Sequence, residues 1–166
     1  MLSLGIDPGT ASVGWGLVQE RPDGSLVSPG HGVITTEAGH PMHLRLQHIH
    51  EELEEIIANW RPERAGVEEM FFARNVTTAI TVAQGRGVIL LTLATAGLSV
   101  YEYKPNMVKQ AIAGYGAAGK TQMQEMVRIL LGMEDRPRPD DAADALAVAI
   151  TDLHSARYRS LQDAGT

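Results

Sequence analysis

The pattern of apolar and polar positions divides the chain into ten segments of two different periods. Leu2-Ser3-Leu4-Gly5-Ile6 is a short apolar run that stops at Asp7-Pro8-Gly9-Thr10. A run of that length closed by Pro-Gly predicts a buried strand ending in a tight turn. Between Ser12 and Gln19, Val13, Trp15 and Leu17 fall on alternate positions and predict a second strand. Arg21-Pro22-Asp23-Gly24-Ser25 reads as a hairpin turn, and a third strand is expected around Gly32-Val33-Ile34-Thr35. Sequential strands with short links pair antiparallel. The period then changes. Leu44, Leu46, Ile49, Leu53, Ile56 and Ile57 recur at helical spacing from about Pro41 to Asn59, and Arg61-Pro62 stops that helix. Ala65-Gly66-Val67-Glu68 is a fourth strand, Thr77 to Ala96 a long helix, and Leu98 to Tyr103 a fifth strand. Helices follow around Asn106–Ala113 and Thr121–Leu131, and Arg136-Pro137-Arg138-Pro139 leads into a last helix from Asp140. This order predicts an α/β domain, a five-stranded mixed sheet with its first three strands antiparallel and helices on both faces. The domain is expected over residues 1–158, with 159–166 a flexible polar tail.

The helix Thr77–Ala96 departs from the amphipathic rule. Ala79, Ile80, Val82, Ala83, Val88, Ile89, Leu90, Leu91 and Leu93 place apolar groups on several of its faces. A helix on the outside of a sheet needs only one apolar stripe. The surplus is covered either by the last helix of the same domain or by a second copy of the chain across a two-fold axis. The second copy is the preferred expectation.

Composition narrows the class. A chain of 166 residues with 20% charged residues suits one globular domain. There is no cysteine, which excludes disulfides and thiolate metal sites and fits a reducing cytoplasm. No uninterrupted apolar run reaches membrane-spanning length and the start lacks a basic secretory signal, so no membrane partner is expected. The net charge of −6 argues against simple coating of nucleic acid, but it is unevenly spread. Between Arg61 and Gly132 there are eight Lys/Arg against five Asp/Glu, and Lys104, Lys109 and Lys120 all lie in that window. Basic residues gathered in one region of an acidic chain suggest a phosphate footprint.

The acids carry the candidate chemistry. Asp7 and Glu68 both sit at strand ends, where sites gather in sheets of this kind. A lone acid there is costly to bury unless donors or a cation meet it, so Asp7 either caps its turn or binds something positive. Asp7-x-Gly9-Thr10 also suits the phosphate-binding turn of actin-like ATPases. At the start of the last helix, Asp140 is explained by the helix dipole. Asp141 and Asp144, three apart, share a face. Together with Asp7 and Glu68 they supply four hard oxygen donors suited to magnesium or manganese. Two such ions can activate water and stabilise the leaving oxygen of a phosphodiester. Phe71 and Phe72, followed by Arg74 and Asn75, offer either base stacking or core packing. Gly114 to Thr121 matches the phosphate-loop pattern literally, but a helix rather than a buried strand precedes it, so it reads as a glycine loop presenting Lys120. His40, His43, His48 and His50 are expected on a solvated helix face.

Five motifs taken in order resemble one family. Gly5-Ile6-Asp7-Pro8-Gly9, Val67-Glu68-Glu69-Met70-Phe71, Phe72-Ala73-Arg74-Asn75, Gln84-Gly85-Arg86-Gly87 and Asp141-Ala142-Ala143-Asp144-Ala145-Leu146 are similar to the RuvC-type Holliday junction resolvases of bacteria. The resemblance runs from the start of the chain to about Ile150. It implies a ribonuclease H-like fold, a homodimer in the bacterial cytoplasm, and paired symmetrical nicking of four-way DNA junctions with two divalent ions, Mg2+ or Mn2+, per site. It further implies that Asp7, Glu68, Asp141 and Asp144 are the catalytic, metal-holding carboxylates. Phe71 then contacts bases at the junction, with Arg74 and Asn75 beside it, and Lys109 and Lys120 engage the DNA backbone. Branch-migration partners of the RuvA and RuvB type follow by the same resemblance. Glu69 stands where the family commonly has glutamine. An ATPase built on Gly114–Thr121 or Asp7–Thr10 and a catalytically silent junction-binding module are the rival readings.

Overall fold

The computed structural model describes residues 1–70 and 76–164. Its elements are β1 (Leu2–Asp7), β2 (Ser12–Glu20), β3 (Leu26–Thr35), α1 (Met42–Trp60), β4 (Arg64–Glu68), α2 (Val76–Thr95), β5 (Ser99–Tyr103), α3 (Pro105–Ala113), α4 (Lys120–Leu130) and α5 (Asp140–Ala164). The strands form one sheet in the order β3-β2-β1-β4-β5. β1, β2 and β3 pair antiparallel, whereas β4 lies parallel to β1 and β5 parallel to β4. The central strand β1 therefore has an antiparallel neighbour on one side and a parallel one on the other.

Period-two alternation assigns the two faces of this sheet to different tasks. Leu4 and Ile6 of β1, Val13 and Leu17 of β2, and Ala65 and Val67 of β4 pack with Ile49 and Leu53 of α1 and Ile89 and Leu93 of α2. That face is oily. The residues between them are Ser3, Gly5 and Asp7 on β1, Gly14 and Gly16 on β2, and Arg64, Gly66 and Glu68 on β4. They are small or polar, and α5 lies over them. A Cβ on Gly5 would collide with the Ala145 carbonyl and Ala149 of α5, and one on Gly14 with the backbone of Asp141. The absent side chains let the α5 backbone rest directly on β1 and β2. Farther out, α3 and α4 complete this layer through Val108, Ile112, Met123 and Val127 against Leu146 and Ile150.

Three expectations are corrected. β3 begins at Leu26, earlier than the Gly32 run, because Pro29 and Gly30 sit in an edge strand whose outer side needs no partner. α5 continues to Ala164 where a tail was expected after Tyr158. The Arg159 guanidinium lies over the Tyr101 ring, 4.1 Å from its centre, and holds that extension against β5. Thr78–Thr95 of α2 is long and apolar enough to cross a membrane by length and composition, contrary to the expectation from sequence. In the fold Ile89 and Leu93 are buried against α1 and the sheet. The alternative cover for α2 also drops out: α5 is on the other side of the sheet, and Ile80 and Leu91 of α2 are 57% and 66% exposed.

Candidate active site

Two strand ends and one helix start converge here. Ile6 lies opposite Val67 in the parallel pair, so Asp7 and Glu68 leave adjacent strands at the same edge. Across the antiparallel pair, Asp7 is opposite Gly14, the residue on which the Asp141 backbone rests. The α5 start is thereby set over the end of β1. Asp144 follows one turn along and lines a cleft with Glu68, Lys109 and Lys120. The turn after Asp7 is pinned from three sides. The Thr10 hydroxyl donates to the Thr81 carbonyl of α2 at 2.7 Å, the Thr36 hydroxyl donates to the Thr10 carbonyl, and Arg45 Nε donates to Thr36 Oγ1 at 2.8 Å.

The electrostatics of the cluster are unbalanced. Burial, reinforced by Glu68, Asp144 and Asp141, pushes the Asp7 carboxyl up to about 8, with Lys120 pulling the other way. Glu68 is pushed up to about 7 by burial and by Asp144, opposed by Lys109. Asp144 is also raised, chiefly by burial. Like charges gathered in a partly dry site favour protonation of some members. The two lysines facing the cleft do not neutralise it.

The remaining site candidates divide. Asp140 does not join the cluster: its carboxylate pairs with Lys120 Nζ at 3.0 Å and accepts from Gln124 Nε2 at 2.8 Å. That pairing holds Asp140 below the ordinary carboxylate range and raises Lys120. Phe71, Arg74 and Asn75 lie outside the described residues. Gly114–Gly119 links α3 to α4, so no strand feeds the phosphate-loop-like motif and Lys120 begins α4 instead. His40 pairs with Glu37, and His43 and His48 are exposed as expected. His50 instead meets Thr92 Oγ1 of α2 at 2.8 Å, because it lies on the flank of α1 that packs on α2. Sequence reasoning missed Ser12, whose hydroxyl donates to Asp141 Oδ2 at 2.6 Å. Its signal was modest, a hydroxyl at the start of β2 two residues before Gly14.

The donor set fits a hard divalent cation. All four acids offer hard oxygen donors, and two of them are raised toward neutrality, where a cation would displace protons. Among the described residues no three His, Asp or Glu side chains stand as a ready-made metal cage. Magnesium commonly takes one or two carboxylates and completes its shell with water and substrate phosphate. An open carboxylate cleft flanked by Lys109 and Lys120 offers that combination.

Comparison with known proteins bears on the same residues. The family model described as crossover junction endodeoxyribonuclease RuvC matches residues 3–152. The chain is 58% identical over 156 residues to the crossover junction endodeoxyribonuclease RuvC of Chloroflexus aggregans, covering 94% of each. Among solved structures it is similar to that of Thermus thermophilus RuvC, with a TM-score of 0.88, 39% identity, and 95% and 96% of the two chains covered. The T. thermophilus RuvC in complex with Holliday junction substrate matches at a TM-score of 0.87 and 36% identity over the same shares.

Proposed function

The chain belongs to the RuvC family of crossover junction endodeoxyribonucleases, a ribonuclease H-like endonuclease that resolves Holliday junctions, and we propose that Asp7, Glu68, Asp141 and Asp144 are its catalytic carboxylates. One observation carries this reading. Asp7 and Glu68 are raised toward neutrality beside Asp144, and Lys109 and Lys120, the cations facing the cleft among the described residues, offset that shift only in part. Crowded carboxylates raised by burial and by one another cluster at functional sites.

In this reading the four carboxylates hold two divalent ions, Mg2+ or Mn2+. Such ions activate water for in-line attack on a phosphodiester and stabilise the leaving oxygen. Asp7 and Glu68 are raised toward neutrality in the cleft, so ligation would displace protons and couple metal affinity to pH. Their attachment to adjacent ends of a buried sheet fixes their separation. Lys109 and Lys120 flank the carboxylates and draw the DNA backbone into the cleft. Phe71, with Arg74 and Asn75, engages the bases and backbone at the junction. No side chain becomes covalently attached to DNA.

The nuclease domain, with α5 running on to Ala164, forms a homodimer that uses α2 as its seam. Among the described residues of α2, Ile80 and Leu91 are exposed large apolar side chains, on the sheet face that α5 does not reach. A two-fold axis presents two identical sites to two like strands, so symmetrical paired nicks follow from symmetry. The setting is recombination and repair in a bacterial cytoplasm, with branch-migration partners of the RuvA and RuvB type. The direct test is a nicking assay with magnesium or manganese on a four-way junction beside linear duplex. Paired nicks on the junction alone support the reading. Equal cutting of both substrates, or cutting that survives chelation, contradicts it.

A further inference from the structure

Ser12 lies at the start of β2, where its main chain is fixed by pairing with Thr35 of β3. Opposite it, the Asp141 backbone is fixed by its rest on Gly14, two residues farther along the same strand. The two main chains are therefore held at a set distance by the sheet and by the missing Cβ. Across that gap the Ser12 hydroxyl donates to Oδ2 of Asp141 at 2.6 Å in a partly buried setting. A hydroxyl-to-carboxylate bond of this length is charge-assisted and stronger than a neutral one. It engages one named oxygen of the carboxylate. Asp144 and Glu68, the acids that share the cleft with the two lysines, have no comparable hydroxyl donor in the structure's hydrogen-bonded contacts among the described residues.

We propose that Ser12 is a positioning residue for the cation site, fixing the Asp141 rotamer through Oδ2 and so presenting Oδ1 to the metal. The proposal rests on Asp141 being a metal-holding carboxylate. Outer partners of this kind orient a ligand, and their loss typically weakens metal binding ten- to a hundredfold. Ser12 touches neither DNA nor cation in this role. It acts only through Asp141. A merely structural Ser12 would tie α5 to β2 instead, and its loss would then lower stability without changing metal affinity.

The experiment measures Mn2+ binding to the DNA-free protein by electron paramagnetic resonance of the free ion, with melting in chelator recorded beside it. Ser12→Ala is expected to weaken Mn2+ binding about tenfold. Ser12→Thr, which keeps the hydroxyl and suits a strand, is expected to restore it to within about twofold. Cleavage by Ser12→Ala should recover as manganese is raised, a change in apparent metal affinity rather than in the saturated rate. Asp141→Asn separates the positioning role from the carboxylate assignment beneath it. If Asp141→Asn loses Mn2+ while Ser12→Ala binds it like the parent, the positioning role is overturned and the carboxylate assignment stands. If Asp141→Asn itself binds Mn2+ like the parent, both fall.

Discussion

The same three elements, β1, β4 and α5, carry acids at both ends, a single buried one at the far end and a half-buried group at the near end. At the far end Asp152 is fully buried and fully answered. Ser3 donates to its Oδ2 at 2.7 Å, Arg64 binds it through Nε and Nη2 at 2.5 and 2.8 Å, and Tyr103 donates to Oδ1 at 2.7 Å. At the near end Asp7, Glu68 and Asp144 face one another, and two of them are pushed to about 8 and about 7. Asp152 is eight residues from Asp144, about 12 Å along the helix. Helix and strands are shared, but Asp152 is sealed among partners where Asp7, Glu68 and Asp144 are half-buried and open to the cleft. An acid that serves the fold is neutralised by the fold, and an acid that serves chemistry is left for something outside the chain to neutralise.

The sharpest break in the comparison is a single neutral substitution at each end. Asp7→Asn should reduce junction cleavage at least about a thousandfold while leaving junction binding largely intact, read by nicking and gel-shift assays on one preparation. Unchanged cleavage at saturating manganese would remove Asp7 from the site. At the other end Arg64→Ala strands the Asp152 carboxylate in the core. That should cost about 3–5 kcal/mol in urea unfolding, because breaking a buried pair leaves an uncompensated charge. A loss below about 1 kcal/mol would mean that Ser3 and Tyr103 alone suffice.

The two clusters also differ in how legible they were. Asp7 and Glu68 could be read from sequence because each ends an apolar run, and Asp141 and Asp144 because their spacing repeats one helical face. Asp152 sits in the same helix but sends no such signal, since its partners lie 149, 88 and 49 residues away. Ser12 is 129 residues from Asp141 and was missed for the same reason. The succession of strands and helices followed from local periodicity, whereas the start of β3 was missed where Pro29 and Gly30 interrupt its apolar pattern. The helical extension beyond Tyr158 depends on Arg159 reaching Tyr101, again a distant contact. Local pattern disclosed the elements and the chemistry at their ends. Long-range satisfaction of polar groups stayed invisible.

A smaller effect concerns the basic rim that only the near cluster has. Lys109→Ala or Lys120→Ala should weaken junction binding and lower the salt slope by about one counterion for each phosphate no longer neutralised. An unaltered slope for both variants would make the lysines solvated bystanders. Because Lys120 is paired with Asp140, its variant should show the smaller change of the two.

The mildest prediction is in the pH dependence of the metal-free protein. Asp7 and Glu68 are raised above their ordinary values of 3.8 and 4.5, so between about pH 4 and 8 the folded state binds more protons than the unfolded state. Stability therefore falls as pH rises through that window. The fall should be shallower in Asp7→Asn, as judged from melting curves in chelator at pH 5 and pH 8. Parallel curves for the two proteins would remove the repulsion at the near cluster.

The claim that the near cluster is completed from outside is tested most directly by melting the parent and Asp7→Asn at pH 8, with chelator and with millimolar manganese. A cluster awaiting cations makes Asp7→Asn melt above the parent in chelator, where a repulsive charge has been removed. It also makes manganese raise the parent by several degrees and the variant far less, as ligand binding to the folded state requires. Asp7→Asn melting below the parent in chelator, with manganese raising both equally, would place Asp7 with Asp152 among the acids that serve the fold.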